Sequence, residues 1–262
     1  MVQQIMSKQS FKEANEEASF SKCVYNESSS ETPTSNTKLM KIILALSLTS
    51  IVISLASMVC VLTLAKLECH GQNQEVVPED TATFAPKAKA LRIVTRNEWL
   101  AQPPRERLDD LKLPVNKVII SHTTTEECKT QSACLYRVRS IQGQHIGAEN
   151  YGDIGYNFLI GGDGNVYEGR GWLKEGTFVR GQNTKSIGIT FIGDYRHEAP
   201  SQAQMETMDA LLKSGIKSGH LTQDYRLYGS CQFMQTESPG RLLYVELKKH
   251  SHWSDAQWEK RA

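Results

Sequence analysis

DIGYNFLIGGDGNVYEGRGW, residues 153–172, decides how the chain is read. Inside it, GYNFLIG (155–161) and NVYEG (165–169) flank Asp163-Gly164, a dipeptide that favours a two-residue hairpin turn because both residues accept positive φ. The stretch therefore predicts an antiparallel strand pair. Toward the N-terminus, KVIIS (117–121) is a short apolar run suited to a buried strand. After it, residues 130–146 carry Cys134, Val138, Ile141 and His145 at helical spacing, with His145 on the inward stripe. Toward the C-terminus, SIGITFIG (186–193) reads as another buried strand. Ser201 followed by Gln204 has the form of a capping box that starts a helix. Met205, Met208, Leu212 and Ile216 would be its inner face and Gly219 its stop, with a last helix over 242–250. Strands and helices alternate around one hairpin, so the predicted class is α/β, a mixed central β-sheet flanked by helices.

Outside this domain the texture differs. Residues 42–65, IILALSLTSIVISLASMVCVLTLA, contain no charge. As a helix that run reaches ~36 Å, enough for a bilayer core of ~30 Å. It predicts a single transmembrane helix. Residues 1–41, rich in Ser, Glu, Lys, Asn and Thr, cannot bury enough apolar area to offset their ordering entropy and are expected to be a disordered tail. Residues 66–90 read as a stalk, 91–253 as the folded domain and 254–262 as a C-terminal extension. Lys22, Lys38 and Lys41 precede the span, whereas only Lys66 follows it closely, which predicts a single-pass type II protein at the cell membrane, N-terminus in the cytoplasm. On that topology Cys128 and Cys134, six residues apart in an oxidising compartment, are expected to form a disulfide. Cys23 falls in the cytoplasm and Cys60 in the membrane. Cys69, on the stalk, is either an intermolecular disulfide making a homodimer, since a span confines partners to a plane, or a free or lipidated thiol. Thirty basic and twenty-nine acidic residues give a net charge of +1, no field to attract nucleic acid.

The stretch 153–172, together with RNEW (96–99), KVIISHT (117–123), SIGITFIGDY (186–195) and TESPG (236–240), resembles the peptidoglycan recognition proteins. That family shares its fold with phage-type zinc N-acetylmuramoyl-L-alanine amidases. The resemblance covers residues 91–253, and a tail, span and external domain is similar to the family's long, membrane-anchored insect forms. It implies that catalytic members hold zinc with His, His and Cys, leaving a coordination position for a water whose pKa the metal lowers. The matching positions here are Ser121, Ser230 and Ser238. A neutral hydroxyl is a poor zinc ligand beside imidazole or thiolate. The expectation is no metal, no cofactor and no amidase activity. Tyr156 and Thr236 stand where the resemblance implies groups that assist hydrolysis.

The resemblance also implies a ligand groove, with peptidoglycan or a muropeptide as ligand. Asn150 and Tyr151 match the pair that goes with stem-peptide preference, nearer the lysine type. Phe178 replaces a His and Gln182 a Tyr in GTFVRGQN (176–183), while Arg180 could meet a carboxylate. His122 is carried as a groove candidate, although its place after Ser121 in a strand points it to the opposite face, toward packing or a hydrogen bond. Two functions stay open: a non-catalytic receptor or regulator of innate immune (Imd-type) signalling related to peptidoglycan binding, and a co-receptor or decoy that binds other receptors of the family without binding peptidoglycan. A membrane-tethered amidase is the third reading, disfavoured by the three serines.

Overall fold

The computed structural model describes residues 20, 21, 23 and 90–255. The calls on residues 42–65, the stalk up to 89, Cys60, Cys69 and most of 1–41 and 254–262 lie outside the described residues. Among those described, no helix is long and apolar enough to cross a membrane.

Six strands form one sheet: β1 (Ile93–Val94), β2 (Val115–His122), β3 (Phe158–Ile160), β4 (Val166–Glu168), β5 (Ile187–Phe191) and β6 (Leu221–Gly229). Their order is β1-β4-β3-β5-β2-β6, with β3–β4 antiparallel and every other pair parallel. Among residues 90–255 the helices are α1 (Gln131–Gly147), α2 (Gln202–Lys217) and α3 (Arg241–Leu247). The mixed sheet with flanking helices is the predicted class. α2 starts with the expected capping box, Ser201 Oγ accepting from Gln204 N–H and Gln204 Oε1 accepting from Ser201 N–H. It ends at Gly219, which adopts φ +72°.

Both faces of the sheet are used, unequally. Val118, Ile120, Phe158, Ile160, Ile187, Ile189 and Phe191 pack with Met208, Leu211 and Leu212 of α2 and Leu243 of α3. The opposite residues Leu159 and Tyr167 pack with Trp99 and with Cys134, Val138 and Ile141 of α1. α1 thus covers the β4–β3 side of that face. Over β5, β2 and β6 the face instead meets loops, with Ile119 and Tyr228 against Phe178, Val179 and Phe233. That half-covered face is where a site can form.

Three local expectations change. The β3–β4 connection spans residues 161–165 rather than a two-residue turn. Asp163 explains this, because its carboxylate accepts from Asn165 N–H at 3.1 Å and from the Tyr167 hydroxyl at 2.7 Å, holding a wider loop. β3 begins at Phe158 rather than 155, because Asn157 turns inward. Its amide donates to the carbonyls of Gly171 and Lys174 and its Oδ1 accepts from Gly188 N–H. The buried face of α2 is rotated toward Thr207, Leu211 and Gly215, leaving Met205 and Ile216 half-buried.

The expected Cys128–Cys134 disulfide is present. A second one, Cys23–Cys231, was not expected. Cys23 is helical and buried with Cys231, Tyr244, Phe20 and Trp253, and the Phe20 ring stands edge-on to Tyr244 at 5.4 Å. This corrects the assignment of Cys23 to a separate, unstructured tail. A chain that crosses a membrane once between residues 23 and 231 cannot make this bond.

Candidate functional site: a serine trio on the open face

Side chains alternate along β2, so Val118, Ile120 and His122 face α2 while Lys117, Ile119 and Ser121 face the open side. His122 is therefore no groove residue. It is buried, its Nδ1 accepts from Tyr195 N–H at 3.2 Å, and Asp194 lies 3.9 Å away. Burial pushes its pKa down to about 4 against the pull of Asp194. Arg196, bonded to both oxygens of Asp194, holds that carboxyl low, at about 2.

The three serines converge although Ser121 lies over a hundred residues from Ser230 and Ser238 in sequence. Ser238 Oγ accepts from His122 N–H at 3.0 Å, one residue from Ser121. Ser230 Oγ donates to the Ser238 carbonyl at 2.9 Å, and Cys231 N–H donates to the same oxygen. Ser230 begins a 3-10 turn (Ser230–Gln232) at the end of β6. The Thr236 hydroxyl accepts from Ser238 N–H at 3.2 Å, which places it as a brace of this loop.

Zinc is the group the fold family implies, and these residues do not fit it. The donors are three neutral hydroxyls, two already committed to the backbone. Among the described residues no set of three His, Cys, Asp or Glu side chains could hold a metal ion. His122, next to Ser121 in sequence, faces away from the serines. Tyr156 is no substitute: burial raises its phenol to about 12, so at neutral pH it stays protonated.

The other candidates divide. Tyr151 and Tyr156 flank the His145 ring at 5.4 and 5.3 Å. His145, expected in the core, is half-buried, and its Nδ1 accepts from Gly155 N–H at 2.9 Å. Burial and Arg170 push it down to about 4. Asn150 sits exposed at φ +55° in the turn after α1. Arg180 is exposed at the edge of the loop that carries Phe178. Phe178 lies against Gly188 and Gly176, so a Cβ at either glycine would run into its ring. Asn183 Oδ1 holds that loop by accepting from the N–H groups of Phe178 and Val179. Sequence reading passed over Lys117, Tyr228 and Phe233 as lining. The period-two pattern of β2 already pointed Lys117 to the same face as Ser121, but β6 had not been recognised as a strand. A separate cavity of about 350 Å³ lies at the ends of β2 and β5, lined by Glu126, Glu127, Asp194 and Glu198 among others, on the far side of His122.

The chain matches the N-acetylmuramoyl-L-alanine amidase family (Amidase_2) over residues 111–259. It is 47% identical over 163 residues to a peptidoglycan recognition protein of Trichoplusia ni, 62% of this chain and 89% of that one. To peptidoglycan-recognition protein LC of Drosophila melanogaster it is 42% identical, over 63% of this chain and 32% of the relative. Among solved structures it is similar to the ectodomain complex of peptidoglycan recognition proteins LCa and LCx with bound tracheal cytotoxin, at TM-score 0.63 and 44% identity, covering 63% of this chain and 100% of that one. Recognition protein LE in complex with tracheal cytotoxin, a monomeric diaminopimelic acid-type peptidoglycan, matches at TM-score 0.63 and 42% identity, over 64% and 98%. These matches agree: the chain belongs to the N-acetylmuramoyl-L-alanine amidase (Amidase_2) family, among its peptidoglycan recognition proteins.

Proposed function

We propose that this chain is a non-catalytic recognition protein of innate immune signalling that engages muropeptides on the face of Ser121. The observation that carries this is the serine trio: three neutral hydroxyls stand in place of a ligand set, and those of Ser230 and Ser238 are tied to backbone groups. Its relatives support the ligand class, since LE and the LCa–LCx pair are each described in complex with tracheal cytotoxin. Retention of the full-length protein on insoluble peptidoglycan, with no stem peptide released in the presence of zinc, is the expected result. Release of stem peptide would overturn the non-catalytic half; passage through the peptidoglycan unretained would overturn the binding half.

A second reading, a co-receptor that binds other recognition proteins of its family, is favoured by Phe178. Its ring covers Gly188 on the open face and offers no donor or acceptor to a sugar-peptide. The LCa–LCx complex is a precedent for two such proteins assembling.

Anchorage in a membrane through residues 42–65 is the remaining part of the proposal, under one condition. A single type II crossing puts Cys23 and Cys231 on opposite sides, so chains anchored that way carry Cys23 as a thiol or in some other link. Chains with the Cys23–Cys231 bond hold both cysteines on one side.

A further inference from the structure

β2 and β5 lie side by side and parallel, in register from Val118 with Ile187 to His122 with Phe191. Beyond their C-terminal ends the chain parts. Residues 123–130 carry it from β2 to α1, on the face of Leu159 and Tyr167. Residues 192–201 carry it from β5 to α2, on the other face. Neighbouring parallel strands whose connections go to opposite faces leave a crevice outside their ends, and open α/β sheets bind ligands in such crevices. The cavity of about 350 Å³ occupies that place, lined from residues 125–127 of one connection and 193–199 of the other. Its volume is within the ~300–1,000 Å³ of small-molecule sites. Ser121, Ser230 and Ser238 do not line it.

The lining sets the charge of a ligand. Glu126, Glu127, Asp194 and Glu198 all contribute to it. Glu126 is committed to Arg137 at 2.9 Å, and Asp194 to Arg196, which also reaches Glu237. Glu127 is paired only with the exposed Lys129, at 3.4 Å, among the described residues. Its side chain lies against Gly162, where a Cβ would run into it. Glu198 is exposed and has no ion pair or hydrogen bond among the described residues. Both carboxylates lie near the buried Tyr195. Burial first, and then the charges of Glu127 and Glu198, push its phenol up against the effect of the Gln204 bond. Two poorly neutralised carboxylates from different connections therefore converge beside a tyrosine and Ala199. Among the described residues no set of three His, Cys, Asp or Glu side chains could hold a metal ion, so a bare cation does not fit. An alkylammonium does, with three N–H donors for separate carboxylates and an apolar stem for Tyr195 and Ala199.

We propose that this cavity binds a primary alkylammonium group, which donates to Glu127 and Glu198 and lays its stem along Tyr195 and Ala199. The site is independent of the muropeptide reading, because the face of Ser121 takes no part in it. The group comes as a free diamine or as the lysine side chain of a polypeptide, and the test separates the two sources.

Full-length protein is titrated by calorimetry with cadaverine and with the peptide acetyl-Gly-Lys-Gly-amide. Pentanediol and the same peptide acetylated on its lysine are the uncharged counterparts. At least one amine is expected to bind saturably, and its counterpart about tenfold or more weakly. Binding of cadaverine alone identifies a free amine as the ligand, and binding of the peptide identifies a lysine side chain. Glu198→Gln should weaken the amine about tenfold. Lys129→Met removes the ammonium that competes for Glu127 and should tighten binding, a gain that a damaged fold cannot produce. Binding of neither amine, equal binding of an amine and its counterpart, or an affinity unchanged in Glu198→Gln or in Lys129→Met overturns the site.

Discussion

At the scale of single residues, the serines and the buried histidines define what this site can do. Replacing Ser121→His, Ser230→His and Ser238→Cys together should restore a zinc-binding donor set, because β2, the end of β6 and the 236–240 loop already bring these residues together. Elemental analysis of the purified variant is expected to show near-stoichiometric zinc and the parent none; zinc retained by the parent would refute the reading of the trio. His122 and His145 make a pH prediction. Each is held at about 4, below an unfolded value near 6.5, so the unfolded chain binds more protons between those limits. Their contribution is fully present above pH 6.5 and is lost as pH falls toward 4, at most about 3 kcal/mol each. Urea midpoints should drop over that window. His122→Gln, which keeps an acceptor for Tyr195 N–H, should flatten the drop; an unchanged slope would mean that His122 titrates normally.

At the scale of elements, the most informative segment is the irregular run before β3. Asp153 binds Arg96 at 2.9 Å and accepts from Gln142 and Ile154 N–H, tying the first loop, α1 and this run together. Asn157 then serves two carbonyls and one N–H from two other segments. Asn157→Ala leaves all three buried groups without that partner and is expected to cost about 3 kcal/mol or more, read from denaturant unfolding. A cost under about 1 kcal/mol would show that water takes over the role. At the start of α1 the Cys128–Cys134 bond closes a short loop, so Cys128→Ser with Cys134→Ser should lower stability by about 2 kcal/mol. An unchanged unfolding midpoint in that double variant would show that the packing of Trp99 and Val138 alone holds the helix start.

At the scale of the whole molecule, the distribution of cysteines decides how the chain can be placed. Cys23–Cys231 links residues 208 apart and buries Phe20 against Tyr244 and Trp253. Non-reducing peptide mapping is expected to recover Cys23 joined to Cys231. On intact cells neither cysteine should then react with a membrane-impermeant thiol reagent before reduction. Labelling of Cys23 only after permeabilisation would establish the single crossing at residues 42–65 and exclude the bond. The same map tests Cys69, whose proposed link to a second copy should appear as a homotypic peptide lost in Cys69→Ser.

What the sequence determined by itself was local or compositional. The capping box at Ser201, the stop at Gly219, the strands around 119, 159 and 189 and the serines in place of a ligand set all depend on residue type and on neighbours a few residues away. The serines could be named without coordinates because the resemblance to the peptidoglycan recognition proteins implies which positions hold the ligands. Tertiary structure alone decided which groups meet. The sequence already pointed His122 away from Ser121, and the tertiary structure supplied its partner, Tyr195 N–H. It set Lys117 beside Gln182 and Phe233, and it brought Cys23 to Cys231. β6 escaped the sequence reading because its exposed Gln223, Asp224 and Arg226 break the apolar pattern of a buried strand. Its place beside β2 comes from long-range pairing, whose energy is returned only when the whole sheet closes.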